Sequence, residues 1–154
     1  MARMDHAAPN ARPSSTLASA LPHDRPDDPA RRLLLFAIRR TGAHGLNDAA
    51  TAHAFLKHFG GGFRRPLVLL RAFMMESSRA AARPIVIAPC CCARMTADER
   101  VLIDIMRHAS NHPARARLLL SDLLGRREAE SLLTTATLLA TAFDEGGQPL
   151  NDGF

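Results

Sequence analysis

Residues Leu67 to Met75 read LVLLRAFMM, and Arg71 is the one polar residue among them. A helix that is apolar nearly all round is typical of a central, buried element. Arg65-Pro66 comes directly before, and proline is favoured in the first turn of a helix. We therefore predict a central helix that begins near Arg65-Pro66 and is surrounded by other helices.

Cap residues upstream of this stretch predict two further helices. Asp28-Pro29 is an N-cap followed by a proline suited to the first helical position, and Gly42 lies where that helix would end. Asn47 can cap a second helix, which the run Gly60-Gly61-Gly62 would terminate.

The residues after the central helix change in character and then become helical again. Between residues 82 and 93, Arg83-Pro84 disfavours helix and Ile85-Val86-Ile87 is a β-branched run, which together predict a short extended segment. Thr96-Ala97-Asp98-Glu99 fits a capping box that opens the next helix. Two more helices are predicted, from His112-Pro113 to Gly125 and from about Arg127 to Phe143.

The resulting prediction is an all-α, compact six-helix single domain over residues 29–145, with the extended segment inside it. Residues 1–28 contain four prolines and few large apolar side chains, so we expect a disordered N-terminal tail. Residues 146–154 contain three glycines and a proline and are expected to form a flexible C-terminal tail. No stretch approaches the roughly 20 apolar residues of a membrane span, and the N-terminus lacks the apolar core of a signal peptide. We therefore expect a cytoplasmic protein without a membrane partner.

Charge is unevenly distributed along the chain. Residues 31–94 hold 11 Lys or Arg against 2 acidic residues, a net charge of +9, whereas residues 95–154 carry a net charge of −3. Such asymmetry indicates an anionic partner or two self-complementary faces. We expect a homodimer or an acidic protein partner, and sequence-independent nucleic-acid binding is the alternative. The residues expected to bind the anion are Arg39, Arg40, Arg64, Arg65 and Arg94.

The arginine content has a second interpretation. All 20 basic residues except Lys57 are Arg, and a GC-rich genome would also produce that bias.

The only cysteines, Cys90, Cys91 and Cys92, are consecutive. They precede Arg94 and the helix that begins at Thr96, and a cation and a helix N-terminus both lower the pKa of a nearby thiol. We therefore expect at least one low-pKa, partly exposed thiolate that binds a soft metal or is reversibly oxidised. The other interpretation of free cysteines is that they pack as buried apolar side chains.

Cys90 and Cys92 are the favoured metal-binding pair, because residues two apart point to the same side of an extended segment. Zinc or another soft metal would need further ligands, and none lies at zinc-finger spacing. Cys91 is a further candidate ligand. Of the histidines that the fold could bring near, His44, His53, His58, His108 and His112, the first choice for a third ligand is His44, in the turn between Gly42 and Gly45.

Three stretches of the chain resemble a family of small bacterial proteins known only as a domain of unknown function. They are RRLLLFAIRRTGAHGL (31–46), FGGGFRRPLVLLRAFM (59–74) and PIVIAPCCCARMTADE (84–99). The resemblance covers about residues 31–145. It implies a stand-alone bacterial cytosolic protein in which the triple cysteine belongs to the domain, and it implies no activity, ligand or catalytic residue.

No catalytic constellation can be recognised by spacing. In particular, Gly60-Gly61-Gly62 lacks the GK[ST] that a phosphate-binding P-loop requires. The sequence therefore predicts a small binding or regulatory protein rather than an enzyme, with a thiolate metal or redox site at the triple cysteine.

Overall fold

Six α-helices follow one another from Pro29 onward in residues 20–152, the part of the chain that this computed structural model describes. The prediction of an all-α, six-helix domain is confirmed. One short antiparallel ladder accompanies the helices, with His23 opposite Met95 and Asp24 opposite Arg94. The elements are β1 (His23–Asp24), α1 (Pro29–His44), α2 (Ala49–Phe59), α3 (Arg64–Ala80), β2 (Arg94–Met95), α4 (Ala97–His108), α5 (Pro113–Leu124) and α6 (Glu130–Glu145), with a short 3-10 helix, Gly60–Gly62, between α2 and α3.

Three of the predicted helix boundaries are set by the expected caps. The Asp28 carboxylate accepts a hydrogen bond from the Arg31 N–H, 2.8 Å, at the start of α1. At the start of α4 the Thr96 hydroxyl accepts from the Glu99 N–H, 3.0 Å, and the Glu99 carboxylate accepts from the Thr96 N–H, 2.9 Å. Gly125 ends α5 in the left-handed conformation, with φ 64°.

Other boundaries differ from the prediction by a few residues. Helix α1 continues through Gly42 and ends at Gly45, which is the position with a positive φ, 92°. Asp48 rather than Asn47 caps α2, and its carboxylate accepts from the Thr51 N–H at 2.8 Å. The last helix begins at Glu130 and not near residue 127.

The core lies between two pairs of helices, because α3 packs along α6 and α4 packs along α5. Three phenylalanines join α2 to α6: the ring centroid of Phe59 lies 5.5 Å from that of Phe55 and 5.0 Å from that of Phe143. Fully buried side chains from all six helices complete the core, including Leu34, Phe55, Leu70, Ile105, Leu120 and Phe143.

Helix α3 is not buried on all sides, which corrects the prediction of a central helix. Its inner face carries the buried Leu67, Leu70 and Phe73, but Val68 on its outer face is 59% exposed. Apolar composition alone does not say which faces of a helix are covered. Here α6 covers one side of α3, and Val68 and the exposed Leu138 of α6 remain in contact with solvent.

The segment before α1 packs on the domain, in contrast to the expectation of a tail up to residue 28. Strand β1 pairs with β2, and the Arg94 guanidinium donates to the Leu21 carbonyl (2.9 Å), the Pro22 carbonyl (2.8 Å) and the Asp24 carboxylate (2.5 Å). The segment has few large apolar side chains, so it is held on the domain by these hydrogen bonds rather than by apolar burial. Residues 1–19 of the predicted tail lie outside the described residues.

The segment after α6 is likewise attached to the domain up to residue 152. Leu150 is 2% exposed, and its carbonyl accepts a hydrogen bond from Arg31 Nε at 2.9 Å. The Asp152 carboxylate pairs with both Arg31 and Arg107. Residues 153 and 154 lie outside the described residues. No helix in residues 20–152 combines the length and the apolar character needed to cross a membrane.

Candidate functional site around Cys90

The cysteines lie on the connection between α3 and α4, residues 81–96, whose backbone is held by the first turn of α4. The Asp98 carboxylate accepts a hydrogen bond from the Val86 N–H, 2.8 Å, and the Glu99 carboxylate accepts from the Ala88 N–H, 3.0 Å. The Thr96 hydroxyl donates to the Val86 carbonyl at 2.7 Å. The cysteines therefore sit on an anchored segment, although residues 81–93 form neither helix nor strand.

Arg39 joins this segment to α1. Its guanidinium forms a paired contact with the Glu99 carboxylate, with Nε–Oε1 at 2.8 Å and Nη2–Oε2 at 3.1 Å. The same group donates to the carbonyls of Cys92 and Arg94, each at 2.7 Å. The Arg39 side chain is 3% exposed and that of Glu99 is 0% exposed, so both charges are buried and each compensates the other.

The cysteines occupy a turn rather than an extended strand. The Cys92 N–H donates to the Pro89 carbonyl at 3.1 Å, which closes residues 89–92 into a turn. The prediction of extended backbone at the cysteines is therefore wrong, and strand alternation gives no reason for Cys90 and Cys92 to share a side. Cys91 is exposed, and Cys90 and Cys92 are half-buried.

The predicted metal ligands are not gathered into one site. Among residues 20–152, no group of three or more His, Cys, Asp or Glu side chains is arranged to hold a metal ion. The sequence predicts His44 in a turn, but it is the exposed last residue of α1, because that helix continues past Gly42.

Cys90 lines a small pocket of about 210 Å³ with three arginines. Arg25 comes from the connection between β1 and α1, and Arg32 and Arg39 come from α1; the remaining lining residues are Leu35 and Phe36. Glu99 compensates the charge of Arg39. Arg25 and Arg32 form no ion pair with any residue of the described chain, so the thiol of Cys90 borders a pocket of net positive charge.

Sequence reasoning missed Arg25, Arg32 and the buried role of Glu99. A signal existed for Arg32, because Arg32, Phe36 and Arg39 follow the four- and three-residue spacing of one helix face. The sequence contains no comparable spacing pattern for Arg25, because Arg25 lies in the proline-rich segment that the sequence predicts as a disordered tail.

The five arginines predicted to bind an anion do not form one surface. Arg39 is buried against Glu99, and Arg40 pairs with Asp48 through Nη2–Oδ1 at 2.6 Å. The hydrogen bond from Arg40 is the main reason that the pKa of Asp48 lies well below its usual range.

The remaining three predicted anion ligands have different surroundings. Arg65 pairs with Glu145, and Arg94 is occupied by residues 21–24. The guanidinium of Arg94 is thus directed at the N-terminal segment, which does not support its predicted role beside the thiols. Arg64 forms no ion pair within residues 20–152.

Comparison with known proteins identifies a family for this chain, and the description of that family gives no activity. A family profile described as "Family of unknown function (DUF6628)" matches residues 8–116, which is more than half of the chain. No curated protein and no solved structure matches it.

Proposed function

The chain belongs to the family of unknown function DUF6628, and from the geometry of its own residues we propose that it is a thiol-based regulatory protein in which Cys90 reacts with small anionic disulfides. The observation that carries this proposal is the position of Cys90 in a pocket with Arg25 and Arg32, whose charges no carboxylate of the described chain compensates. A cytoplasmic location, as expected from the sequence, would keep the three thiols reduced until such a reagent arrives.

The reaction is a thiol–disulfide exchange. The Cys90 thiol gives its proton to water, and its sulfur attacks one sulfur of the reagent. A new protein–reagent S–S bond forms while the S–S bond of the reagent breaks, and the leaving thiolate departs with the electron pair. The protein thiol is thereby oxidised and half of the reagent is reduced, and cellular thiols reverse the change by the same exchange.

The pocket also explains how an adduct could be sensed. Arg25 belongs to the segment that leads from β1 to α1, and β1 is bonded to β2 directly after the cysteine turn. A group attached to Cys90 would occupy the space between that segment and α1. We expect modification to displace residues 21–24, which are held by contacts of the exposed Arg94 and by the two-residue ladder with β2.

The experiment compares two disulfides of different charge on a variant that retains only Cys90, made by Cys91→Ser and Cys92→Ser. The reagents are the dianionic dithiobis-nitrobenzoate and the neutral dithiodipyridine. Arg32→Gln should slow the anionic reagent by about fivefold, since two unit charges about 4 Å apart in water interact by about 1 kcal/mol. The rate with the neutral reagent should stay the same, and added salt should reduce the difference.

Arg127→Gln is the matched control, because Arg127 is an exposed arginine between α5 and α6 and does not line the pocket. Equal effects of Arg32→Gln and Arg127→Gln would refute the role of the pocket. A Cys90 thiol that reacts only after denaturation would refute the function. The purified protein could instead contain stoichiometric zinc that is lost in the variant without Cys91 and Cys92. That result would overturn the proposed thiol–disulfide exchange in favour of metal binding.

A further inference from the structure

A cleft with a volume of about 590 Å³ lies in another part of the described chain, and no cysteine lines it. Its walls are the last turn of α1, the last turns of α3 and residues 83–87 of the connection to α4. Pockets that bind small molecules commonly have volumes of about 300–1,000 Å³. The cleft is therefore large enough for a ligand of modest size.

About half of the lining is apolar, and this half consists of aliphatic side chains without an aromatic ring. Met74 and Met75 of α3 line the cleft together with Ile85 and Ile87 of the connection to α4, and all four residues are half-buried. Leu102 of α4, which is 1% exposed, lies at the inner end. Methionine side chains adapt readily to the shape of an aliphatic group. This lining fits an alkyl chain better than a flat ring.

One polar group in the wall lacks a partner. Ser77 is 1% exposed, and its Oγ makes no hydrogen bond with any residue in the described chain. A buried hydroxyl without a partner is unfavourable, so such groups are usually satisfied by protein or solvent. An oxygen atom of a ligand at the inner side of the cleft would supply the missing partner.

The charges in the wall indicate the sign of the ligand. The lining includes two arginines and, among the described residues, no aspartate or glutamate. Arg83 is already bound to Asp98 by two hydrogen bonds of 2.7 Å each. Arg79 is exposed on the last turn of α3 and forms no ion pair within residues 20–152. The wall therefore carries one uncompensated positive charge beside its apolar lining.

From these four features we propose that this cleft binds a medium-chain aliphatic carboxylate. The alkyl chain lies against Met74, Met75, Ile85 and Ile87, and the carboxylate pairs with Arg79 and accepts a hydrogen bond from Ser77. This proposal does not depend on the reactivity of Cys90, and its test uses no thiol reagent.

The test is a calorimetric titration of the full-length protein with decanoate and, separately, with decanol. Decanoate should bind at one site and at least about tenfold more tightly than decanol, because hydrogen bonds to a charged group are worth about 1.5–3 kcal/mol. In spectra of methyl-labelled methionine, decanoate should shift the signals of Met74 and Met75. The signal of Met106, which is buried in the core, should stay in place.

Two variants and a control locate the interaction. Arg79→Gln should reduce the decanoate affinity about tenfold and leave decanol binding unchanged, whereas the matched Arg127→Gln should change neither. Ser77→Ala removes a hydroxyl that has no partner, so it should fold normally and bind decanoate more weakly. Equal affinities for decanoate and decanol, non-saturating binding, or an Arg79→Gln variant that binds decanoate like the original protein would each overturn the proposal.

Discussion

Arg39 and Glu99 are 60 positions apart in the chain, yet their side chains form a two-point contact that is almost completely buried. The guanidinium also holds the carbonyls of Cys92 and Arg94, and the carboxylate also accepts the N–H groups of Ala88 and Thr96. Helix α1, the cysteine turn and the start of α4 are thus positioned by one charged pair. The conformation of the proposed reactive site depends on this pair being intact.

Removing one member of the pair should be costly. Arg39→Met leaves the Glu99 charge buried and uncompensated, and such changes lower the free energy of unfolding by about 3–5 kcal/mol. Urea denaturation monitored by circular dichroism measures the difference. Arg100→Met is the control, because Arg100 is exposed and its partner Asp104 keeps a second ion pair with Arg107, so the loss should be no more than about 0.5 kcal/mol. Equal losses in the two variants would contradict the importance of burial.

The Asp98 carboxylate should make stability depend on acid pH. Arg83 donates two hydrogen bonds to it, and this contact lowers the pKa of Asp98 below its ordinary value. Because the pKa is lower in the folded state, the stabilisation is complete above the unfolded value of about 3.9 and disappears as the pH falls through the folded value. Asp98→Asn should be less stable at neutral pH and should lose less further stability between about pH 5 and about pH 2. Urea denaturation across that range gives the slopes, and Asp144→Asn, at an exposed position, should retain the original dependence.

Gly146 should not tolerate a side chain. A Cβ atom there would contact Cδ1 of Phe59 and lie 2.7 Å from Cε1, although its φ of −81° is open to any residue. Gly146→Ala should therefore lower the free energy of unfolding by about 1–3 kcal/mol, because the added methyl group overpacks the space beside Phe59. Gly61→Ala is the control, since nothing lies within 4 Å of a Cβ atom at Gly61. A Gly146→Ala protein as stable as the original would show that the Phe59 ring moves aside without cost.

Arg94→Gln should loosen the N-terminal segment without unfolding the domain. The residue pairs with Asp24, which is 85% exposed, so the global loss should be within about 1 kcal/mol. Hydrogen exchange followed by mass spectrometry should show faster exchange in residues 21–28 and unchanged exchange in α6. Because the guanidinium points to this segment, alkylation of Cys90 should not slow. A slower reaction would restore the role of thiol activator that the sequence predicts for Arg94.

The features that the sequence predicts correctly are those in which a residue and its partner are close along the chain. Asp28 and Arg31, like Thr96 and Glu99, are three residues apart, so the cap can be recognised from local spacing. The cysteine turn is also a local feature, but the β-branched run ahead of it favours an extended backbone in a prediction from sequence. In the structure, the hydrogen bond from the Cys92 N–H to the Pro89 carbonyl closes a turn there instead.

The contacts that build the candidate site are of another kind. Nothing in the sequence distinguishes Arg39 from the 18 other arginines, and its partner Glu99 already has a sufficient local explanation as a capping residue. Arg25 reaches the Cys90 pocket only because β1 pairs with β2, a ladder of two residues in each strand that carries no recognisable hydrophobic period. Such long-range polar contacts are fixed by the packing of the helices and become visible only once it is known.

Asp152 pairs with Arg31 and Arg107, and both arginines line one pocket with Pro22 and His23, so the two ends of the described chain lie close together. Proteins whose two ends are neighbours can often be circularly permuted. A glycine–serine linker from residue 152 to the residues before β1, with new termini at the exposed Gly60–Gly62 run, should therefore give a protein with the same core. The same packing of the six helices would then form from a chain in which the helices follow one another in a different order.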